Sequence, residues 1–423
     1  MRDPRDGRAG LRVGVLVDLK LAEEAGGHVK CWERLAEAAV ELGDGLDLSV
    51  HFSGDRDERR ELAPNVRYWI HRPVLSTARL PFLKGNPDHT DLAPRHRRLR
   101  RHLDGYDVIH ATDAYFAFAR TALAYARRHG TPLVSSTHTD TPKYTRIFSR
   151  QMVENLFGQG PIGRCLIDRV RVHDRAAAHM ENILDRYLRA SAFVLASSEA
   201  DHQRALALLP ADRVGRLRRG VDKAFFHPQW RDRPAADRRF EIPSDRVLIL
   251  FAGRVDASKS PDVLAAAARR LIEQGVPVHV LFAGRGTERE AMRAALGAAV
   301  SLPGPLSQEE LRMAYASADL FVFPSTTELT PNVAVEAKAS GLPVILSAHG
   351  GSGQMVARDG EDGILLDSAD PAAWAAAIGE LAADIERRRR MGSAARHHIE
   401  TAWPSWLDVL REDLMPVWTA AAG

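Results

Sequence analysis

Short apolar runs alternate with amphipathic stretches along this chain, joined by loops of small and polar residues. LRVGVLVD (11–18) reads as a buried strand, and HVKCWERLAEAAVEL (28–42) places apolar residues at helical spacing. LDLSVHF (46–52), VRYWIH (66–71), YDVIHA (106–111), PLVSST (132–137) and AFVLASS (192–198) are further strands, and FAFARTALAYARRHG (116–130) is a helix between two of them. The rhythm restarts with VLILFAGR (247–254), PDVLAAAARRLIEQG (261–275), VPVHVLFAGRG (276–286), ADLFVFPS (318–325), GLPVILS (341–347) and GILLD (363–367). Strands alternating with helices predict parallel sheets wound in βαβ units. The pattern therefore predicts an α/β protein of two Rossmann-like, doubly wound parallel-sheet domains facing a cleft, where a ligand is expected.

The segment 220–246 is rich in Pro, Arg and Asp and has no sustained period, so it reads as a linker. Residues 1–222 then form the first domain and 223–404 the second. The stretch 140–190 is too long for a loop. Its apolar positions Ile167, Val170, Met180, Ile183, Leu184, Tyr187 and Leu188 predict added helices over the cleft. Beyond Pro404 an aromatic, amphipathic helix (about 405–423) needs a sheet to cover and is placed back on the first domain.

With 423 residues, 45% apolar and 27% charged, the chain is long enough for two cores and is not disordered. Apolar runs never reach the length of a membrane-spanning helix, and Met1–Gly10 is charged, which predicts no secretory leader. The two cysteines, Cys31 and Cys165, fit neither a disulfide framework nor a metal site and suit a reducing cytoplasm. Of the 58 basic residues 51 are arginine, so each of the seven lysines is the more informative cation. The basic runs 95–103 and 387–390 read as solvated helix faces and lack interleaved aromatics, which excludes nucleic acid as partner; for 95–103 a membrane surface stays open.

The richest chemistry lies in FVFPSTTELTPNVAVEAKASGLPVI (321–345). A strand ends there, and a helix is expected to start with Thr330 as N-cap and Pro331 in the first helical position. The backbone amides of Asn332 and Val333 would then face the cleft as an anion site. Glu328 stands at the helix mouth and Glu336 about one and a half turns further in. Phosphate and hydroxyl groups in one ligand would suit this set; for either glutamate alone, an ordinary capped helix with a salt-bridged carboxylate is the alternative. In FAGRVDASKSPDVL (251–264), Arg254 and Lys259 on a strand-to-helix turn suit a diphosphate, with a solvated basic loop as the alternative. His138 and His110 sit at predicted strand ends, where parallel sheets hold ligands, with a core histidine as the alternative for each.

These segments resemble the retaining glycosyltransferases of family 4, with the GT-B fold. Glu328 and Glu336 match its E-x7-E signature, followed by the ASGLPVI text. FAGRVDASK matches G-R-x-x-x-x-K-G with Ser260 for the last Gly, and FAGRGTERE (282–290) matches the Gly-rich turn holding Gly284. RRGVDKAFFHP has Arg219 where the family has Asn, Gln354 stands where Glu is common, and Thr330-Pro331 replaces Phe-Gly. SSTHTDTPKYTR (135–146) is similar to the text of lipid-directed mannosyl- and sulfoquinovosyltransferases.

The resemblance implies an enzyme that moves a sugar from a nucleoside-diphosphate donor (UDP or GDP) to an acceptor with retention, without metal or cofactor. His138 and Glu328 are the implied catalytic residues. Gly27, Arg254, Lys259, Gly284, Leu306, Glu328, Thr330, Pro331, Asn332, Val333 and Glu336 would bind the donor, with Leu306 at the base. Gly26, His28, His110, Asp140, Lys143 and Tyr144 would meet the acceptor. The implied acceptor is a lipid, a lipid-linked saccharide or a small molecule, and the implied place is the cytoplasm or the inner membrane face. A nucleotide-sugar 2-epimerase, acting on the donor alone, and a non-catalytic nucleotide-sugar-binding protein are the alternatives.

Overall fold

A computed structural model of the chain describes residues 10–22, 25–76, 90–138, 140–158, 160–328 and 330–423. It divides into two compact units, Met1–Arg218 with Leu407–Gly423, and Arg219–Trp406. The strands of the first unit are β1 (Leu11–Lys20), β2 (Leu46–Ser53), β3 (Glu58–Ala63), β4 (Val66–His71), β5 (Val108–Ala111), β6 (Leu133–Ser136), β7 (Phe193–Ala196) and β8 (Val214–Arg216). Among the described residues they form one sheet, ordered β3-β4-β2-β1-β5-β6-β7-β8. All pairs are parallel except β3–β4.

Val13, Val15, Leu16 and Val17 of β1 have no exposed surface, because helices cover both faces of a parallel sheet. The charged sequence ERRELA hides β3 from periodicity. As an antiparallel edge strand it keeps its arginines and glutamates in water, which protects the edge from pairing.

The stretch 140–190 is helical, as expected: Thr141–Phe157, Pro161–Arg164, a π-turn Cys165–Arg169, and Val172–Ala190. Leu184, Tyr187 and Leu188 enter the first unit's core, with Met180 and Ile183 at its margin. Ile167 on the π-turn and Val170 just after it stay half-buried. At the chain end, Trp406–Val409, a π-turn and Met415–Ala422 bury Leu410, Leu414 and Trp418 completely. Two side chains tie this end to the first unit. The Arg218 guanidinium bonds Asp413 at 2.7 Å and Glu412 at 2.6 Å, and Trp418 reaches His110 on β5.

The second unit holds β9 (Val247–Ala252), β10 (Val278–Ala283), β11 (Val300–Gly304), β12 (Leu320–Phe323), β13 (Val344–Ser347) and β14 (Ile364–Leu366). Among the described residues these form a parallel sheet ordered β11-β10-β9-β12-β13-β14. Phe251, Phe282, Phe321 and Phe323 fill its core.

The linker expectation for 220–246 is corrected here. Phe226, Ala236, Phe240 and Ile242 from this segment are buried in the second core. Helix Arg233–Phe240 is capped by Asp232, which accepts from the Ala235 amide at 2.9 Å. Arg233 pairs with Asp237 at 2.6 Å and Asp319 at 2.7 Å. An eight-residue helix with two buried residues is too short to show a period, and Arg233, Asp237 and Arg239 are held in ion pairs.

Candidate functional site

In the second sheet the winding reverses between β9 and β12, since β10 and β11 follow on one side and β13 and β14 on the other. Ligands of such sheets bind at this switch point, beyond the strands' carboxyl ends. Four loops meet there.

The loop after β9 carries Arg254, Asp256, Lys259 and Ser260. Asp256 accepts from the Ser258 amide at 3.0 Å and lies 3.5 Å from the Arg254 guanidinium. Ser260 is left-handed (φ 52°), which is why the family text has glycine at this position and why serine here is strained. The loop after β10 is stitched to this one: Gly253 donates to Ala283 at 2.9 Å and Val255 to Arg285 at 2.8 Å. At Gly284 (φ +153°) a Cβ would fall 1.9 Å from the Gly253 carbonyl oxygen. That approach requires glycine. Leu306, just past β11, packs half-buried on the same core.

The loop after β12 supplies Glu328, Thr330 and Pro331, and the helix that follows supplies Asn332 and Glu336. Its Thr327 hydroxyl donates to the Ser258 carbonyl at 2.8 Å, joining it to the β9 loop. The Lys259 ammonium, almost buried, donates to Glu328 Oε1. The two residues assigned to different parts of one donor are therefore ion-paired to each other. The helix is Asn332–Ala339 with Pro331 in the cap position and no side-chain cap, so Thr330 does not cap it. Proline fixes the cap's φ, which moves the boundary one residue along. The amides of Asn332 and Val333 still have no intrahelical acceptor, by helix geometry. Asn332 Oδ1 is buried without a partner among the described residues. Glu336 is half-buried and accepts from the Tyr315 hydroxyl at 3.1 Å. Burial, with Glu336 second, pushes the Tyr315 phenol well up, which keeps it a donor. In the loop after β13, Gly351 donates to the Glu328 carbonyl at 2.6 Å, fixing the backbone below the carboxylate. Gln354 in that loop is exposed.

In the first sheet the reversal lies between β1 and β5. Helix Gly27–Ala39 starts there with Gly26 as cap. The His28 and His138 rings stack at 4.2 Å and 8°, and Trp32 lies beneath with its ring 6.0 Å from His138. His110 on β5 offers no exposed surface, so its assignment to the acceptor is corrected: it accepts from Trp418 Nε1 at 3.0 Å and bonds Ser136 Oγ at 2.9 Å. Asp140 caps helix Thr141–Phe157, accepting from the Lys143 amide at 3.0 Å. Lys143 is exposed and Tyr144 stacks on Phe148.

Sequence reasoning missed Tyr315, Trp32, Ser136 and Trp418, whose roles come from neighbours remote in sequence. It also missed Asp18, buried, and Asp113, half-buried, carboxyls at the first switch point that desolvation raises. The polar residue closing the apolar run LRVGVLVD was the available signal for Asp18.

Comparison with known proteins bears on the family and the fold. The family description "Glycosyl transferases group 1" matches residues 232–398, and "Glycosyltransferase Family 4" matches 25–225. D-inositol 3-phosphate glycosyltransferase of Thermobifida fusca is 31% identical over 412 residues, covering 92% of this chain and 88% of that protein. Sucrose-phosphate synthase from Thermosynechococcus elongatus superimposes with a TM-score of 0.66 at 19% identity, covering 97% and 96% of the two chains. HepE from Anabaena, solved with UDP and glucose, gives 0.65 at 17%, covering 95% and 98%. By its sequence relatives and its fold, the chain belongs to family 4 of the glycosyltransferases and has their GT-B architecture.

Proposed function

We propose that the protein transfers a sugar from a nucleoside-diphosphate donor, UDP- or GDP-linked, to an acceptor hydroxyl with retention of the anomeric configuration. The observation that carries this reading is the second unit's switch point. There Arg254, Lys259 and the Asn332 helix start gather positive charge beside the Lys259–Glu328 pair.

Departure of the diphosphate creates negative charge on the leaving phosphate and positive charge on the sugar, and fixed cations and amides stabilise the former. The bond from the anomeric carbon to the phosphate oxygen breaks. The acceptor oxygen bonds on the same face, and its proton passes to the leaving phosphate. Lys259 and Arg254 hold the diphosphate, Leu306 meets the base, and Glu336, oriented by Tyr315, takes the ribose hydroxyls. Glu328 takes the donor sugar; for His138 the same role comes from the family resemblance alone. No metal is needed in this scheme, because the protein supplies the charge.

The names of the inositol-phosphate relatives support a phosphorylated polyol as the first acceptor to try. Besides the resemblance of 135–146 and the basic run 95–103, a lipid acceptor and a membrane-surface place are supported by the exposed Phe148, Leu156, Phe157 and Ile162 near Lys143, Arg146 and Arg150. The free cysteines, Cys31 and Cys165, support the cytoplasm.

The test is a panel of UDP- and GDP-sugars with inositol phosphate and lipid acceptors, with excess EDTA, and NMR of the product's anomeric coupling. An inverted product, or one formed from donor without acceptor, overturns the reading.

A further inference from the structure

Four buried side chains of the first unit form one line of hydrogen bonds that ends at His138. Trp418 Nε1 donates to His110 Nδ1 at 3.0 Å, His110 Nε2 lies 2.9 Å from Ser136 Oγ, and Ser136 Oγ lies 2.8 Å from His138 Nε2. Trp418, His110 and Trp32 have no exposed surface, and Ser136 is 2% exposed.

The protons along this line follow from what each group is able to do. An indole N–H only donates, so His110 Nδ1 carries a lone pair and His110 is neutral with its proton on Nε2. That proton goes to Ser136 Oγ. The serine's own hydrogen then needs an acceptor, and among the described residues His138 Nε2 is the one within reach. His138 therefore accepts at Nε2 and carries its proton at Nδ1. Burial independently holds His110 down at about 3, so it stays uncharged at neutral pH. His28 stacked on one face and Trp32 tilted below keep the His138 ring from turning.

We propose that Trp418, on the C-terminal helix, is a positioning residue that acts through His110 and Ser136 to set the tautomer of His138, so that the ring meets the ligand as a neutral imidazole protonated at Nδ1. The consequence for turnover rests on the proposed role of His138 at the donor sugar; the tautomer itself does not.

The test is nitrogen NMR of the full chain labelled at histidine, together with steady-state kinetics. In the unaltered protein at pH 7, His138 should show one neutral form protonated at Nδ1. A charged ring, or a proton at Nε2, overturns the proposal. Trp418→Phe keeps the aromatic volume and removes the donor, and Ser136→Ala cuts the line next to His138. Each should mix the His138 tautomers and lower kcat by roughly 10–100-fold, the range seen when partners orienting metal-bound imidazoles are lost, with KM for the donor little changed. Because the effect passes through Ser136, adding Trp418→Phe to Ser136→Ala should cost no further kcat; multiplying losses would mean a packing role and overturn the relay. If the tautomers mix while kcat holds, the relay stands and the role given to His138 fails. If Trp418→Phe does not fold, the His110 nitrogen signals of the unaltered protein test the Trp418 link instead, and a His110 protonated at Nδ1 overturns it.

Discussion

Replacing Glu328 by Gln should move binding and turnover in opposite directions. In the ligand-free protein the Glu328 carboxylate holds the Lys259 ammonium, the cation assigned to the diphosphate. Its negative charge also opposes an incoming phosphate. A phosphate about 7 Å from the carboxylate, at an effective dielectric of about 20, is repelled by roughly 2 kcal/mol. The Glu328 side chain is 26% exposed, so solvent and salt reduce this to about 1 kcal/mol. Removing the charge therefore tightens bare UDP or GDP about fivefold. The same variant loses a carboxylate that holds the charged sugar in the transition state, and kcat should fall by roughly 10²–10³-fold. Calorimetry with bare nucleotide, beside kcat for the full reaction, reads both. Weaker nucleotide binding with unchanged turnover would refute the argument and make the Lys259–Glu328 pair structural. Lys259→Met is the complement and should weaken the bare nucleotide.

Gly284→Ala should cost more than about 3 kcal/mol in urea unfolding, because its Cβ would overlap the Gly253 carbonyl oxygen at a positive φ. Ser260→Gly should do the reverse and raise stability by about 1 kcal/mol, since it relieves a left-handed serine; an unchanged or lower Tm would count against strain there. Acid should destabilise the first unit through its buried histidines, opposed by Asp18 and Asp113, whose raised carboxyls take up protons in the folded state. Burial lowers His71 and His110 to about 3 and drives His51 down as well. The unfolded chain then binds more protons than the folded one below about pH 6.5, so stability is full above that pH and falls towards pH 3, by roughly 2 kcal/mol per histidine at pH 5. Urea midpoints at pH 7, 6 and 5 check the sign; a midpoint that rises on acidification would mean that Asp18 and Asp113 outweigh these rings or that the rings are charged in the folded state.

The elements were legible because each rests on local rules. A buried parallel strand needs an apolar run, and a covering helix needs an apolar stripe, whatever lies elsewhere in the chain. The strand ends bearing Arg254, His138 and Glu328 were therefore readable, and so was the helix start near Asn332, to within a residue. Short or charged elements escaped. The β3 edge strand and helix Arg233–Phe240 satisfy their polar groups through ion pairs and solvent, which leave no period in the sequence.

What only the tertiary structure decided is which side chains meet. Lys259 and Glu328 are 69 residues apart, and Trp418 and His110 are 308 apart, so no local pattern records either pair. Neither residue type nor spacing tells a ligand-facing histidine from a buried one; His110 became a buried partner only when the last helix closed over β5. Local sequence sets each residue's backbone preference and its capacity to donate or accept a proton, whereas long-range packing chooses its partner and how much water reaches it.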